Sequence, residues 1–231
     1  MSEGIKIEGL TKTFGSKKVI DNLTVEIKTG RIVGLLGENG IGKTTLLKLI
    51  AGFLQPDRGY IKFIDLARDK NIREHVAMLL EPECFYSWMR IKDAIEFYKD
   101  FFIDFKRDKA IQYCEQFNLN LDDKIKKLSK GNKEKVSIIL NLCRNVGIYL
   151  LDEPTGGFDP RFKKEIIRLI LDRMNEKKTI IIASHLLKDM ENLFDDILIL
   201  RKNSLIYKSS DEIRQDFAKS VEEYYLEVQN V

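Results

Sequence analysis

Residues 5–10 (IKIEGL) alternate apolar and polar side chains, the period of a half-buried strand. Leu23, Val25 and Ile27 repeat that alternation, and Gly30 ends it. The run Ile32–Leu36 is apolar at consecutive positions, as in a strand covered on both faces. The pattern then changes period: Leu46, Leu47 and Ile50 fall on one face of a helix over 44–51, with Gly52 as its stop and Pro56 soon after. Short strands are predicted at 60–64 and 76–80. From 83 to about 127 the chain is rich in aromatic and charged residues, and Ile91, Ala94, Ile95, Tyr98 and Phe102 have helical spacing. Beyond it the pattern predicts a helix at 129–144 and a strand at 148–151. A helix at 161–175, a strand at 179–183, a helix at 186–194 and strands at 197–201 and 204–208 complete the chain. Strands alternating with helices point to an α/β fold, a mostly parallel sheet covered on both faces. Ahead of it lies an N-terminal antiparallel β layer, and residues 83–127 form a small inserted helical lobe. One domain over 1–231 is expected, its α/β core at 1–82 and 128–231.

Bulk properties narrow the class. The 231 residues are 44% hydrophobic and 32% charged, as in a globular protein. A formal net charge of +3 implies no strong polyanionic partner. The lysines at 124, 126, 127, 130, 133 and 135 are interleaved with Asp122, Asp123 and Glu134, so a solvated helix entry is expected and nucleic acid is not. No apolar run approaches the roughly 18 residues of a membrane span, and MSEGIKIEGL does not read as a signal peptide. Cys84, Cys114 and Cys143 are odd in number and widely spaced, the pattern of reduced thiols. A cytoplasmic protein, joined to a membrane only through partners, is the expectation.

The chemistry begins between the buried strand and the first helix. Gly37-Glu38-Asn39-Gly40-Ile41-Gly42-Lys43-Thr44-Thr45 fits the phosphate-binding pattern G-x-x-x-x-G-K-[ST], in a strand–loop–helix setting. Glycines let backbone N–H groups curl around an anion, and the helix that follows aims its positive end at it. Lys43 is placed to reach the β- and γ-phosphates, and the Thr44 hydroxyl to sit on Mg²⁺. The fold class is thus a P-loop NTPase core. Ile148-Tyr149-Leu150-Leu151-Asp152-Glu153 is an apolar strand that delivers two carboxylates to its carboxyl end, where open α/β sheets bind ligands. Asp152 can hold Mg²⁺, and Glu153 can polarise a water for attack on the γ-phosphate. His185 follows the strand at 179–183 on the same edge, a candidate γ-phosphate contact. Leu128-Ser129-Lys130-Gly131-Asn132 reads locally as a helix N-cap at Ser129 with a glycine that admits an anion.

Taken together these pieces resemble the ATP-binding subunits of ABC transporters. GENGIGKTT, LLEPE, LSKGN, IYLLDE, PTGGFDP and ASH occur in the family's order of phosphate loop, glutamine loop, signature, acidic strand end, D-loop and switch histidine. The resemblance covers residues 3 to about 208. It implies ATP and Mg²⁺ as ligands. Phe14 would stack on adenine, where the family usually has Tyr. Asp152 would be the Mg²⁺-associated carboxylate, Glu153 the catalytic base and His185 the γ-phosphate switch. Asp159 matches the aspartate that couples two sites. Ser129, Lys130, Gly131 and Asn132 match signature positions that grip ATP bound to a second subunit. A head-to-tail dimer with two sandwiched ATP molecules is implied, as are separate membrane-spanning permease subunits.

Departures from the pattern refine that picture. Glu81 stands where the family has the glutamine of its loop, or is a plain loop acid. A carboxylate there would add charge near Mg²⁺. Lys130 replaces a glycine, giving LSKGN for LSGGQ, and this substitution resembles the branch serving drug, peptide and lantibiotic-type exporters. Because Glu153 and His185 are intact, a homodimer is expected, and nothing excludes a heterodimer. A soluble ABC-type ATPase acting on ribosomes or DNA is the alternative. Tandem cassettes or a long coiled coil would favour it, and the chain has neither.

Overall fold

The computed structural model describes residues 4–63, 72–79, 85, 86, 88–154, 158, 160–184, 187, 190–202 and 204–229. The first strands are longer than the alternation predicted. β1 (Gly4–Phe14) and β2 (Lys17–Lys28) form a hairpin around Gly15 and Ser16, and β4 (Arg58–Phe63) pairs with the other edge of β1. All pairings in this three-stranded layer are antiparallel.

The six-stranded sheet has the order β5-β6-β7-β3-β8-β9. Its strands are β3 (Ile32–Leu36), β5 (Val76–Leu79), β6 (Ile148–Asp152), β7 (Thr179–Ala183), β8 (Asp196–Leu200) and β9 (Leu205–Ser209). β5, β6, β7, β3 and β8 run parallel, and β9 returns antiparallel to β8. The parallel strands are apolar except for Asp152, Thr179 and Asp196 at their ends, because both faces are covered. Leu35, Ile181 and Leu198 point to the face packed with α1 (Lys43–Ile50) and the antiparallel layer. Leu36, Ile180, Ile182 and Ile197 point to the other.

That second face carries α3 (Ile91–Phe101), α4 (Arg107–Gln116), α5 (Lys130–Leu142) and α6 (Pro160–Leu171). A four-residue helix, α2 (Ile72–His75), leads into β5. Two helices close the chain, α7 (Ser210–Asp216) and α8 (Val221–Gln229), and the hydrophobic pattern did not reveal them. Of the helix expected at 186–194, residues 186, 188 and 189 lie outside the described residues, and Glu191–Leu193 form a 3-10 turn. The next residue but one, Asp195, accepts a hydrogen bond from Ile32 N–H at 2.8 Å, which draws the chain straight into β8.

Candidate functional site

The carboxyl ends of β3, β6 and β7 lie side by side, and the loops leaving them bring the predicted chemistry together. Gly37 leaves β3 at φ 152°, Gly40 has φ 77° and Gly42 caps α1 at φ 119°. At Gly37 a Cβ would stand 2.9 Å from both Ile41 Cγ2 and the Leu200 carbonyl oxygen. At Gly42 it would meet Val19 Cγ1 at 2.9 Å, so β2 buttresses the loop from outside. These two glycines are therefore required by backbone shape and by close approach.

Lys43 is only 8% exposed, and its ammonium donates to the carbonyls of Gly37 (2.7 Å) and Glu38 (3.1 Å). The ammonium is thus folded back into its own loop. Burial pushes its pKa down, while Glu153 and then Asp152 hold it up. Thr44 Oγ1 donates to Asp152 Oδ2 at 2.5 Å. Burial pushes the Asp152 carboxyl above its usual range; the Thr44 bond pulls it back and neighbouring Glu153 adds to the rise. Glu153 adopts φ 49°, a left-handed conformation that a non-glycine residue rarely takes. Its N–H is held by the Ala183 carbonyl at 2.9 Å, and the Ser184 hydroxyl reaches its Oε2 at 3.5 Å. Lys43, Thr44, Asp152 and Glu153 thus converge on one edge, with Ser184 as a partner that the sequence did not single out.

The other candidates lie around this centre. Phe14 ends β1 with its ring 47% exposed and Lys12 Nζ 5.7 Å from the ring centroid. It belongs to the same hairpin whose Val19 abuts Gly42. Ser129 caps α5 and accepts from Asn132 N–H at 3.3 Å. Among the described residues, the hydrogen bonds of Ser129–Asn132 stay within the first turns of α5 and none reaches the phosphate loop. Lys130 is 88% exposed and only loosely paired with Glu134 at 3.9 Å. Glu38, Asn39 and Gly40 are exposed, Thr45 is half-buried, and Ile41 is partly buried against the second core. Glu81, Asp159 and His185 lie outside the described residues.

Comparison with known proteins places this arrangement. The ABC transporter family profile matches residues 20–156, from β2 through the Asp152–Glu153 strand end. The chain belongs to the ABC transporter family. It is an ATP-binding, ATP-hydrolysing transporter subunit. An uncharacterized ABC transporter ATP-binding protein of Methanocaldococcus jannaschii is 35% identical over 90% of this chain and 78% of its own. The bacitracin transport ATP-binding protein of Bacillus licheniformis is 32% identical over 99% of this chain and 76% of its own. A solved ATP-binding subunit of an ABC transporter superposes with a TM-score of 0.86 at 23% identity, covering 98% of this chain and 99% of that one. This last likeness concerns the fold alone. Among the described residues no helix is long and apolar enough to cross a membrane.

Proposed function

We propose that this ABC ATPase drives transport, in the export direction, through separate membrane subunits, and that ATP closes it into a dimer. The observation that carries the reading is the meeting of Lys43, Thr44, Asp152 and Glu153 at one sheet edge. The loop N–H groups and Lys43 bind and orient the triphosphate, while Phe14 offers an open ring for adenine. Thr44 and Asp152 fit a magnesium ion. Their oxygens are hard donors, and a cation would relieve the buried Asp152 carboxylate. Among the described residues no cluster of three or more His, Cys, Asp or Glu side chains forms a protein-only cage, which suits an ion that keeps waters and phosphate oxygens. When bound, such an ion neutralises charge on the phosphates. Glu153 orients a water whose oxygen adds to the γ-phosphorus as the β–γ bridging bond breaks, and its carboxylate takes the proton. His185 contacts the γ-phosphate, Asp159 couples the two sites and Glu81 takes the glutamine-loop position.

Ser129, Lys130, Gly131 and Asn132 grip the ATP of a second subunit. Two features of this chain support that. Gly131 has ordinary backbone angles, and an added Cβ would meet only Phe158, at 3.9 Å, so the fold itself does not require glycine there. Lys130 projects into solvent, free to face an anion from outside the chain. Export is supported by Lys130 in the signature and by the bacitracin-transport relative. Residues 83–127 act as the lobe that meets the permease. There the rings of Tyr86 and Trp88 stack 6.0 Å apart and remain more than half exposed. The protein then works at the cytoplasmic face of the membrane.

The test uses Lys43→Ala and Glu153→Gln. Lys43→Ala is expected to lose MgATP binding. Glu153→Gln is expected to bind MgATP, hydrolyse it at least about 100-fold more slowly and accumulate as a dimer by size exclusion. Wild-type turnover in Glu153→Gln would overturn the catalytic assignment. Co-purification with ribosomes or DNA, and never with a membrane protein, would favour the alternative of a soluble ATPase.

A further inference from the structure

The hairpin that presents Phe14 stands against the phosphate loop. A Cβ added at Gly42 would meet Val19 Cγ1 at 2.9 Å and Ile20 Cδ1 at 3.1 Å, and Ile20 is the cross-strand partner of Lys12. On its other edge β1 loses its strand neighbour early. The last pair with β4 joins Thr11 to Arg58 after a register shift, and further shifts against β2 flank Lys12. Irregularities of this kind release backbone groups from the ladder, and a released N–H needs an acceptor. Asp57, the residue just before β4, supplies one. Its Oδ2 accepts from the Thr13 N–H at 2.6 Å and its Oδ1 from the Lys12 ammonium at 2.9 Å, while its own N–H donates to the Thr11 carbonyl at 2.8 Å. One residue thus holds the three positions that lead into Phe14. The Lys12 ammonium that it holds lies in turn over the Phe14 ring, 5.7 Å from the centroid.

We propose that Asp57 is a positioning residue for the base of the bound nucleotide: through Thr13 and Lys12 it fixes the end of β1, so that the Phe14 ring stands at a set place beside the phosphate loop before ATP arrives. The chemistry favours this use. Phe14 is 47% exposed and carries no polar atom, so neither packing on all sides nor a hydrogen bond of its own can orient the ring. Its place must come from the backbone that leads into it and from the cation over its face. Asp57 governs both, one through each carboxylate oxygen, and both bonds are charge-assisted. The Lys12 ammonium and then the Thr13 N–H hold the Asp57 carboxyl below its usual range, so it is ionised at neutral pH. The inference rests on the reading that Phe14 stacks on adenine, and it adds to that reading the group that sets the ring.

The experiment measures the affinities of MgATP and of magnesium tripolyphosphate, which has no base, together with steady-state turnover. Wild type is compared with Asp57→Ala, Asp57→Asn, Asp21→Ala and Phe14→Ala. Asp57→Ala is expected to bind MgATP about fivefold more weakly, the scale of one hydrogen bond. Its affinity for tripolyphosphate and its turnover at saturating ATP are expected to stay within about twofold of wild type. Asp57→Asn keeps an acceptor for Thr13 and is expected to lose less. Asp21→Ala removes a carboxylate of the same hairpin that pairs with Lys18, and is expected to match wild type. Unchanged MgATP affinity in Asp57→Ala overturns the proposal. So does an equal loss toward tripolyphosphate, which a general loosening of the fold or the loop would produce, or a loss that Asp21→Ala reproduces. If Phe14→Ala binds MgATP as wild type does, the adenine reading fails and the proposal falls with it. If Phe14→Ala weakens MgATP and Asp57→Ala does not, the proposal alone fails.

Discussion

The Thr44 hydroxyl and the Asp152 carboxylate meet at 2.5 Å, joining the first turn of α1 to the end of β6 across 108 positions of sequence. The bond holds an acid that burial makes reluctant to ionise. A nearby cation would favour the ionised form of this carboxylate.

Asp152→Asn should stabilise the nucleotide-free protein while abolishing hydrolysis. The sign follows from linkage: a carboxyl whose folded pKa lies above its unfolded value favours the folded state when protonated, and that advantage is lost as pH rises through the folded pKa. At pH 7 the ionised Asp152 opposes folding, and asparagine removes the opposition while still accepting from Thr44. A rise of about 2–4 °C in melting temperature at pH 7, roughly 1 kcal/mol in a chain of this length, is expected. It should shrink as pH falls through the raised folded pKa of Asp152 and be gone below about 4, the unfolded value. A lower melting temperature at pH 7 would refute it.

Gly42→Ala and Gly40→Ala should separate geometry from mere glycine content. Both positions have positive φ, but a Cβ at Gly42 meets Val19 at 2.9 Å, and one at Gly40 meets nothing within 4 Å. Gly42→Ala is expected to destabilise the nucleotide-free protein by about 1–3 kcal/mol, and Gly40→Ala by about 1 kcal/mol. Chemical denaturation of both variants checks the order.

The contrast between these glycines also shows what the sequence could tell. The spacing of Gly37, Gly42, Lys43 and Thr44 specifies a loop because each residue type has one physical use there. The carboxylate pair was legible because an apolar run must end somewhere, and this one ends on Asp152 and Glu153. Ser184 was not legible, because it acts through a contact with Glu153 that only the folded chain makes. Helices α7 and α8 did leave a signal, in the capping boxes Ser209–Glu212 and Ser220–Glu223. Their apolar faces are short, however, and each is interrupted by charge.

Arg144 should be among the most sensitive positions away from the nucleotide. It is 3% exposed and donates to the carbonyls of Glu74 (2.9 Å) and Val76 (2.8 Å) and to Asp104, with its guanidinium 3.9 Å from the Phe102 ring centroid. One side chain thus clamps the turn between α3 and α4 to the start of β5. Arg144→Met removes the charge but leaves Asp104 and two carbonyls without it. A loss of about 3–5 kcal/mol, seen as a fall of roughly 10 °C, is expected by calorimetry.

Arg173 should behave in the opposite way, although it is nearly as buried, at 7% exposure. Among the described residues its Nε has no hydrogen-bond partner, its Nη2 reaches only the Tyr113 hydroxyl at 3.4 Å, and no ion pair includes it. Its charge is also felt nearby: burial pushes the Lys178 pKa down, and Arg173 and Lys109 push it further. A buried cation without a counter-charge opposes folding, so an apolar side chain of similar length relieves the opposition. Arg173→Met is expected to melt at or up to about 4 °C above wild type. Raising the ionic strength should stabilise the wild type more than the variant, because salt screens like-charge repulsion. A fall comparable with that of Arg144→Met would show instead that Arg173 meets a partner in solution, and the two substitutions measured together decide whether burial or pairing governs the worth of an arginine in this fold.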